Sequence, residues 1–181
     1  MATCAAVIID NRPGLEPIIE MHEKFLPNDW DVFWIKNEET TSSFEYSKLL
    51  TSKRLWRNLP DWVLIFQHDT ELYKKGIEEF IGQYDFIGAH IKWMPGYFNG
   101  GLSLRNSKSM LKVINQIPYN GQNEDLYFVD GLRKLNGKLP TAEIAHTFSV
   151  ETEFHYGSLG AHQIDRYFTK EQCTSLRNQY K

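Results

Sequence analysis

Trp62-Val63-Leu64-Ile65-Phe66-Gln67-His68-Asp69-Thr70-Glu71 joins an apolar run to an abrupt polar stop. Val63 to Phe66 are short, continuous and β-favouring, which reads as a strand buried on both faces. Gln67, His68 and Asp69 then fall just past its carboxyl end, the edge at which open α/β sheets bind ligands. A carboxylate there can hold a hard divalent cation, and such a cation can neutralise a diphosphate.

Strands and helices alternate outward from this run. Ala5 to Ile9 reads as a strand ending in Asp10, with Pro13 placed to open a helix carrying Leu15, Ile18, Ile19, Phe25 and Leu26. Val32 to Ile35 reads as a strand, and Tyr46 to Trp56 as one helix. Tyr73, Ile77, Phe80 and Ile81 form the stripe of a helix after the central strand, followed by a strand at Phe86 to Ala89. Gly101 to Leu104 reads as a strand, then a helix capped by Asn106 or Ser107. Asn123 caps another helix, ended by Asn136-Gly137. The tail from Leu139 is mixed. The alternation predicts an α/β layered fold with a mainly parallel sheet.

The chain has 181 residues, the size of one domain, and 41% hydrophobic residues supply a core. With 20 Lys plus Arg against 23 Asp plus Glu, the net charge of −3 argues against a nucleic-acid partner. Two cysteines without CxxC spacing suit a reducing compartment. No signal peptide is visible, and no stretch approaches the roughly 20 apolar residues of a membrane span. A soluble, cytoplasmic chain is expected, whether whole, part of a longer protein or viral in origin.

Several strand ends carry polar residues. Asn11 and Arg12 can serve a phosphate at a helix start, or Asn11 to Gly14 can be a plain turn with an exposed arginine. The turn has neither the dinucleotide fingerprint nor the P-loop glycine pattern. Asp69 is the metal candidate. Glu71 can join it, or favour the start of a following helix. His68 should point away from Asp69 if the chain stays extended. Gly100-Gly101 permits close backbone approach to a ligand or a positive-φ turn, and Asn99 offers an amide to sugar hydroxyls. Glu124-Asp125 opens a helix, as dipole complements or as the source of a general base. His162, after a flexible Gly157–Ala161 loop, can join carboxylates around manganese.

In order, these blocks resemble a family: the small GT-A-type glycosyltransferase-like domains of bacteria, plants and large algal viruses, long catalogued as a domain of unknown function. The blocks are Asn11-Arg12-Pro13, Leu26-Pro27 with Trp30, Tyr46 to Ser52 with Trp56, Leu64 to Asp69, Tyr84 to Ala89, Asn99 to Arg105, Glu124-Asp125 with Phe128, Phe148 to Glu151, and Gly160-Ala161-His162. The resemblance implies one GT-A-like domain over residues 1–181, a three-layer α/β/α fold with a central, mainly parallel sheet. It implies a nucleotide-sugar-dependent glycosyltransferase with a UDP- or GDP-sugar donor, a glycan acceptor, and Mn²⁺ or Mg²⁺ as cofactor. The family's Asp-x-Asp motif falls on Gln67-His68-Asp69, an amide replacing the first carboxylate, or on Asp69-Thr70-Glu71.

On that basis Asn11, Arg12, Ser52, Lys53, Gln67, His68, Asn99, Gly100 and Gly101 are expected at the nucleotide and donor sugar. Asp69, His162 and Glu71 are expected at the metal. Asp125, or Glu124, is the expected base, and Trp93 is expected to stack on an acceptor sugar. Two rivals remain at this level. A sugar-nucleotide nucleotidyltransferase would release pyrophosphate, and usually needs a Gly-rich basic N-terminal loop. A non-catalytic carbohydrate-binding module would bind sugar without turnover. Sugar, nucleobase, acceptor, stereochemical outcome and oligomeric state are not legible.

Overall fold

The computed structural model describes residues 2–38 and 40–180. The quoted run is strand β3, Trp62–Phe66, buried throughout. It lies in a five-stranded sheet with β1 (Cys4–Ile9), β2 (Asp31–Ile35), β5 (Phe86–His90) and β6 (Phe98–Asn106), in the order β2-β1-β3-β6-β5. β1 runs parallel to β2 and β3, whereas β6 is antiparallel to both β3 and β5. The sheet is therefore mixed but mostly parallel in sense, since β1, β2, β3 and β5 point one way and β6 runs against them. β6 turns back against β5 because the loop from His90 to Phe98 is too short for a parallel crossover, and it thereby also runs against β3.

Alternation along the central strands splits the core. Val7, Ile9, Val63 and Ile65 pack on one face with Trp56, Met110 and Phe128. Ala6, Ile8, Leu64 and Phe66 pack on the other with Leu15, Leu26, Ile77 and Phe148. The first face takes α3 (Lys53–Arg57), α4 (Ser107–Gln116) and α5 (Glu124–Lys134). The expected caps hold at two places: Asn106 accepts from the Ser109 N–H at 2.9 Å, and Asn136 takes φ +55° past α5.

Other helices differ from expectation. α1 is Glu16–Glu23, opened by Pro17 and not Pro13. Gly14 at φ +75°, and the Arg12 N–H donating to Asp10 Oδ1, keep residues 10–14 out of the helix. The expected Tyr46 to Trp56 helix is two, α2 (Ser43–Leu50) and α3. They part where the Ser52 hydroxyl caps α3 by accepting from the Leu55 N–H.

After Asp69 comes no helix but β4 (Thr70–Leu72) and a single 3-10 turn at Ile77–Phe80. β4 belongs to a second sheet, ordered β4-β8-β7, with β7 (Ser149–Val150) and β8 (Gly160–His162). Its registers place Thr70 opposite His162, and Val150 opposite Ala161. The tail adds α6 (Ala142–Phe148), α7 (Ile164–Tyr167) and α8 (Lys170–Asn178). Among the described residues, no helix is long and apolar enough to cross a membrane.

Candidate active site at the strand edge

The carboxyl edge of β1 and β3 opens into a cleft with a pocket at each side and a smaller one between. Asp10 to Pro13 and Thr40 to Ser43 line the first. His68 to Glu71, Asp165 and Arg177 line the second. The middle cavity, about 320 Å³, is lined by Tyr46, Gln67, Asn99 to Gly101, Glu124, Asp125, Glu151, His162, Arg166 and Tyr167. Gln67 and Tyr46 border two of the three.

Gln67 to Asp69 form a tight turn, since the Thr70 N–H donates to Gln67 O at 3.3 Å. His68 therefore does not point away from Asp69. Its Nδ1 lies 3.5 Å from Asp69 Oδ1 and 2.7 Å from Arg12 Nη2. The β4–β8 pairing brings in His162, aided by the Gln163 N–H donating to Asp69 O at 2.9 Å. His162 Nε2 stands 3.1 Å from Gln67 Oε1 and 3.3 Å from Asp69 Oδ1. An amide oxygen of Gln67 and a carboxylate oxygen of Asp69 thus both approach His162 Nε2 to within 3.3 Å.

On the other side of the ring, Nδ1 lies 3.5 Å from Glu151 Oε1. A metal-bound imidazole is commonly oriented by such a carboxylate. Burial alone would lower the His162 imidazole, but the Asp69 and Glu151 carboxylates outweigh it and raise the pKa to about 9. Burial would likewise raise Asp69, and His162 with His68 outweighs it, holding the carboxyl at about 2. Asp69 Oδ1, His162 Nδ1, Glu151 Oε2 and Tyr46 Oη are all buried without a hydrogen-bond partner. A polar ligand or cation would satisfy such atoms.

The acidic pair at the start of α5 divides its roles. Glu124 is held by the fully buried Arg105, whose Nη2 donates to Oε1 at 3.0 Å and whose Nη1 donates to Oε2. That carboxylate is committed to structure and is not a free base. Asp125 accepts from the Gly100 N–H at 3.2 Å and the Leu126 N–H at 2.8 Å. Burial, then the neighbouring Glu124 charge, raises its pKa to about 6. A carboxyl poised there can exchange a proton near neutrality.

The other expected residues divide. Asn11 faces the first pocket, but its side chain braces the loop after β2, donating to Asn37 O and accepting from the Asn37 N–H at 2.7 Å. Arg12 forks onto Asp10 at 2.7 to 3.0 Å, and no helix starts beside it. Ser52 lies away from the cleft with Phe33, Leu49 and Leu55, and the exposed Lys53 starts the same helix. α3 leads into the amino end of β3, so it lies at the opposite sheet edge. Glu71 borders the second pocket, but Arg177 grips its carboxylate at 2.6 to 3.0 Å. Alternation in β4 turns it from the Gln67–Asp69–His162 point.

Asn99 Oδ1 accepts from the Gly101 N–H at 2.6 Å. Gly100 and Gly101 lie within β6, and neither has positive φ. They are required by contact: a Cβ on Gly100 would strike Glu124 and Arg105, and one on Gly101 the His162 ring. Gly101→Ala should therefore destabilise the fold by about 1–3 kcal/mol in urea unfolding and displace the His162 imidazole resonances. Trp93 is 61% exposed at the rim, its ring 5.9 Å from that of Tyr167.

Sequence reasoning assigned no role to Tyr46, Arg105, Glu151, Arg166 or Tyr167. A charge in the Leu102-Ser103-Leu104-Arg105 strand, and an acid directly after the Ser149-Val150 pair, were the available signals.

A family model described as "Protein of unknown function (DUF5672)" matches residues 29–163. No curated protein matches the chain. Among solved structures, a glycosyltransferase involved in the glycosylation of the major capsid of PBCV-1 is similar at TM-score 0.61 and 12% identity, covering 98% of each chain. A197 from STIV aligns at TM-score 0.46 and 12% identity over 71% of this chain and 76% of its own. At these identities the likeness concerns the fold.

Proposed function

Because the chain belongs to the DUF5672 family of proteins of unknown function, we propose its activity from the cleft itself: transfer of a sugar from a nucleotide-diphosphate donor to an acceptor hydroxyl. The carrying observation is the pairing of two chemistries in one cleft. Gln67 and Asp69 both approach His162 Nε2, and Gln67 and His162 line one cavity with Asp125, a part-buried carboxyl with a pKa of about 6.

The fit to a divalent cation rests on Asp69 Oδ1, buried and without a hydrogen bond, and on an imidazole that also approaches an amide oxygen. Gln67, Asp69 and His162 would hold Mn²⁺ or Mg²⁺, with Glu151 orienting the His162 ring. That cation would supply charge neutralisation for a departing diphosphate. Tyr46 offers a hydroxyl without a hydrogen bond to the donor, and Arg166 adds positive charge at the middle cavity. Trp93 and Tyr167 make an aromatic rim for an acceptor sugar. Asp125, as carboxylate, takes the proton of the attacking hydroxyl. The three-layer GT-A arrangement over the whole chain belongs to the same proposal.

The experiment is a panel of UDP- and GDP-sugars with Mn²⁺ or Mg²⁺, read as nucleoside diphosphate released. Asp69→Ala should lower metal-dependent release by about 10²–10³-fold. Undiminished release from that variant would refute the cation assignment. Release of pyrophosphate from a sugar phosphate and a nucleoside triphosphate would replace the proposed reaction with nucleotidyl transfer.

A further inference from the structure

A second group of ligand-type side chains lies outside the proposed site. His90 ends β5, His146 sits in α6, and Glu153 follows β7. One ligand atom from each lies within 4.8 Å of the other two. His90 Nδ1 is 2.6 Å from Glu153 Oε2, and His146 Nε2 is 3.2 Å from the same oxygen. The side chains of His90, His146 and Glu153 are 10%, 13% and 28% exposed. The His155 ring stacks on His146 with centroids 3.7 Å apart and fixes its plane.

We infer that His90, His146 and Glu153 form a zinc site, distinct from the oxygen-rich cation site of the cleft. Two imidazoles and one carboxylate suit a borderline cation such as Zn²⁺, which takes three protein ligands and a water in four-coordination. Mg²⁺ and Ca²⁺ prefer oxygen and have little to gain here. Without a cation, both rings can donate to the one carboxylate oxygen, which places a proton on His90 Nδ1 and on His146 Nε2. Binding moves each proton to the other nitrogen of its ring. The long contact from the Gly96 N–H to His90 Nε2, 3.4 Å, is then given up. The bound ion would clip β5, α6 and the segment after β7 together, so it would act on stability.

The test uses the tag-free full chain after chelator treatment, titrated with Zn²⁺ by calorimetry and with Co²⁺ by absorption. One Zn²⁺ should bind, raise the melting temperature, and survive in Asp69→Ala. Co²⁺ should give the intense visible bands of a four-coordinate site. Glu153→Gln, and separately His146→Asn, should weaken Zn²⁺ binding by more than about 100-fold, beyond the roughly 10–100-fold of losing an outer-shell partner. Unchanged affinity in Glu153→Gln overturns the site, as does a six-coordinate Co²⁺ spectrum in the unaltered chain, should the variants not fold. Loss of all Zn²⁺ in Asp69→Ala would place the ion in the cleft instead. The outcome is independent of sugar transfer, because neither titration measures turnover.

Discussion

Arg105→Leu is expected to destabilise the protein by about 3–5 kcal/mol, measured as a fall in urea midpoint at pH 7. The Arg105 side chain is completely buried and that of Glu124 is 6% exposed. Arg105 donates to Glu124, to Gly100 O at 3.0 Å and, through Nε, to Ser103 Oγ at 2.9 Å. Its guanidinium also lies 4.7 Å from the Phe86 ring centre. Removing it leaves the Glu124 charge in the interior with no counter-ion, which is the costly way to break a buried pair. The double variant Arg105→Leu with Glu124→Leu should recover much of the loss, since the charge goes with its partner. A single variant as stable as the parent would show that solvent reaches Glu124.

Asp125→Asn should lower sugar transfer by about 10²–10⁴-fold with donor binding retained, read as kcat against KM. The parent's transfer should climb as pH rises through about 6, where the Asp125 carboxyl gives up its proton. That limb should vanish in the variant. Stability separates this from a folding defect, and the sign runs opposite to a paired carboxylate. The folded pKa of Asp125 lies above the ordinary carboxylate value of 3.8, so its ionisation weakens the fold as pH climbs from about 4 through about 6. The asparagine variant escapes that penalty while losing one acceptor oxygen, and its melting temperature at pH 7 should stay within about 4 °C of the parent. Full transfer in Asp125→Asn would reduce Asp125 to a helix-start residue.

What the sequence disclosed follows from what a local pattern can encode. β3 was readable because five consecutive apolar residues need no partner to be recognised. The Asn106 cap and the Asn136-Gly137 stop are local chemistry as well. Strands β4 and β8 are three residues each and exist through their pairing, so no local pattern in Thr70 to Leu72 marks a strand, and the stripe from Tyr73 suggests a helix instead. Ser52 and Lys53 are expected in the cleft because their helix leads to the central strand, but that helix meets the amino end of β3. The break at Thr51 and Ser52 turns them to the far edge. Asp69, Gln67 and His162 do converge, although their neighbourhood spans most of the chain. Glu151 carries no local signal of its place behind the His162 ring, which is set by the register of a two-residue strand.

The β4–β8 pairing also sets an order of events. Gln67 and His162 are separated by 95 positions, and a pair of three-residue strands joins their segments. During synthesis all five strands of the larger sheet leave the ribosome before residue 162 does. Closing so long a loop is entropically late. A nascent chain can therefore acquire its larger sheet first, and Gln67, Asp69 and His162 come together only when residues 149–162 dock on it.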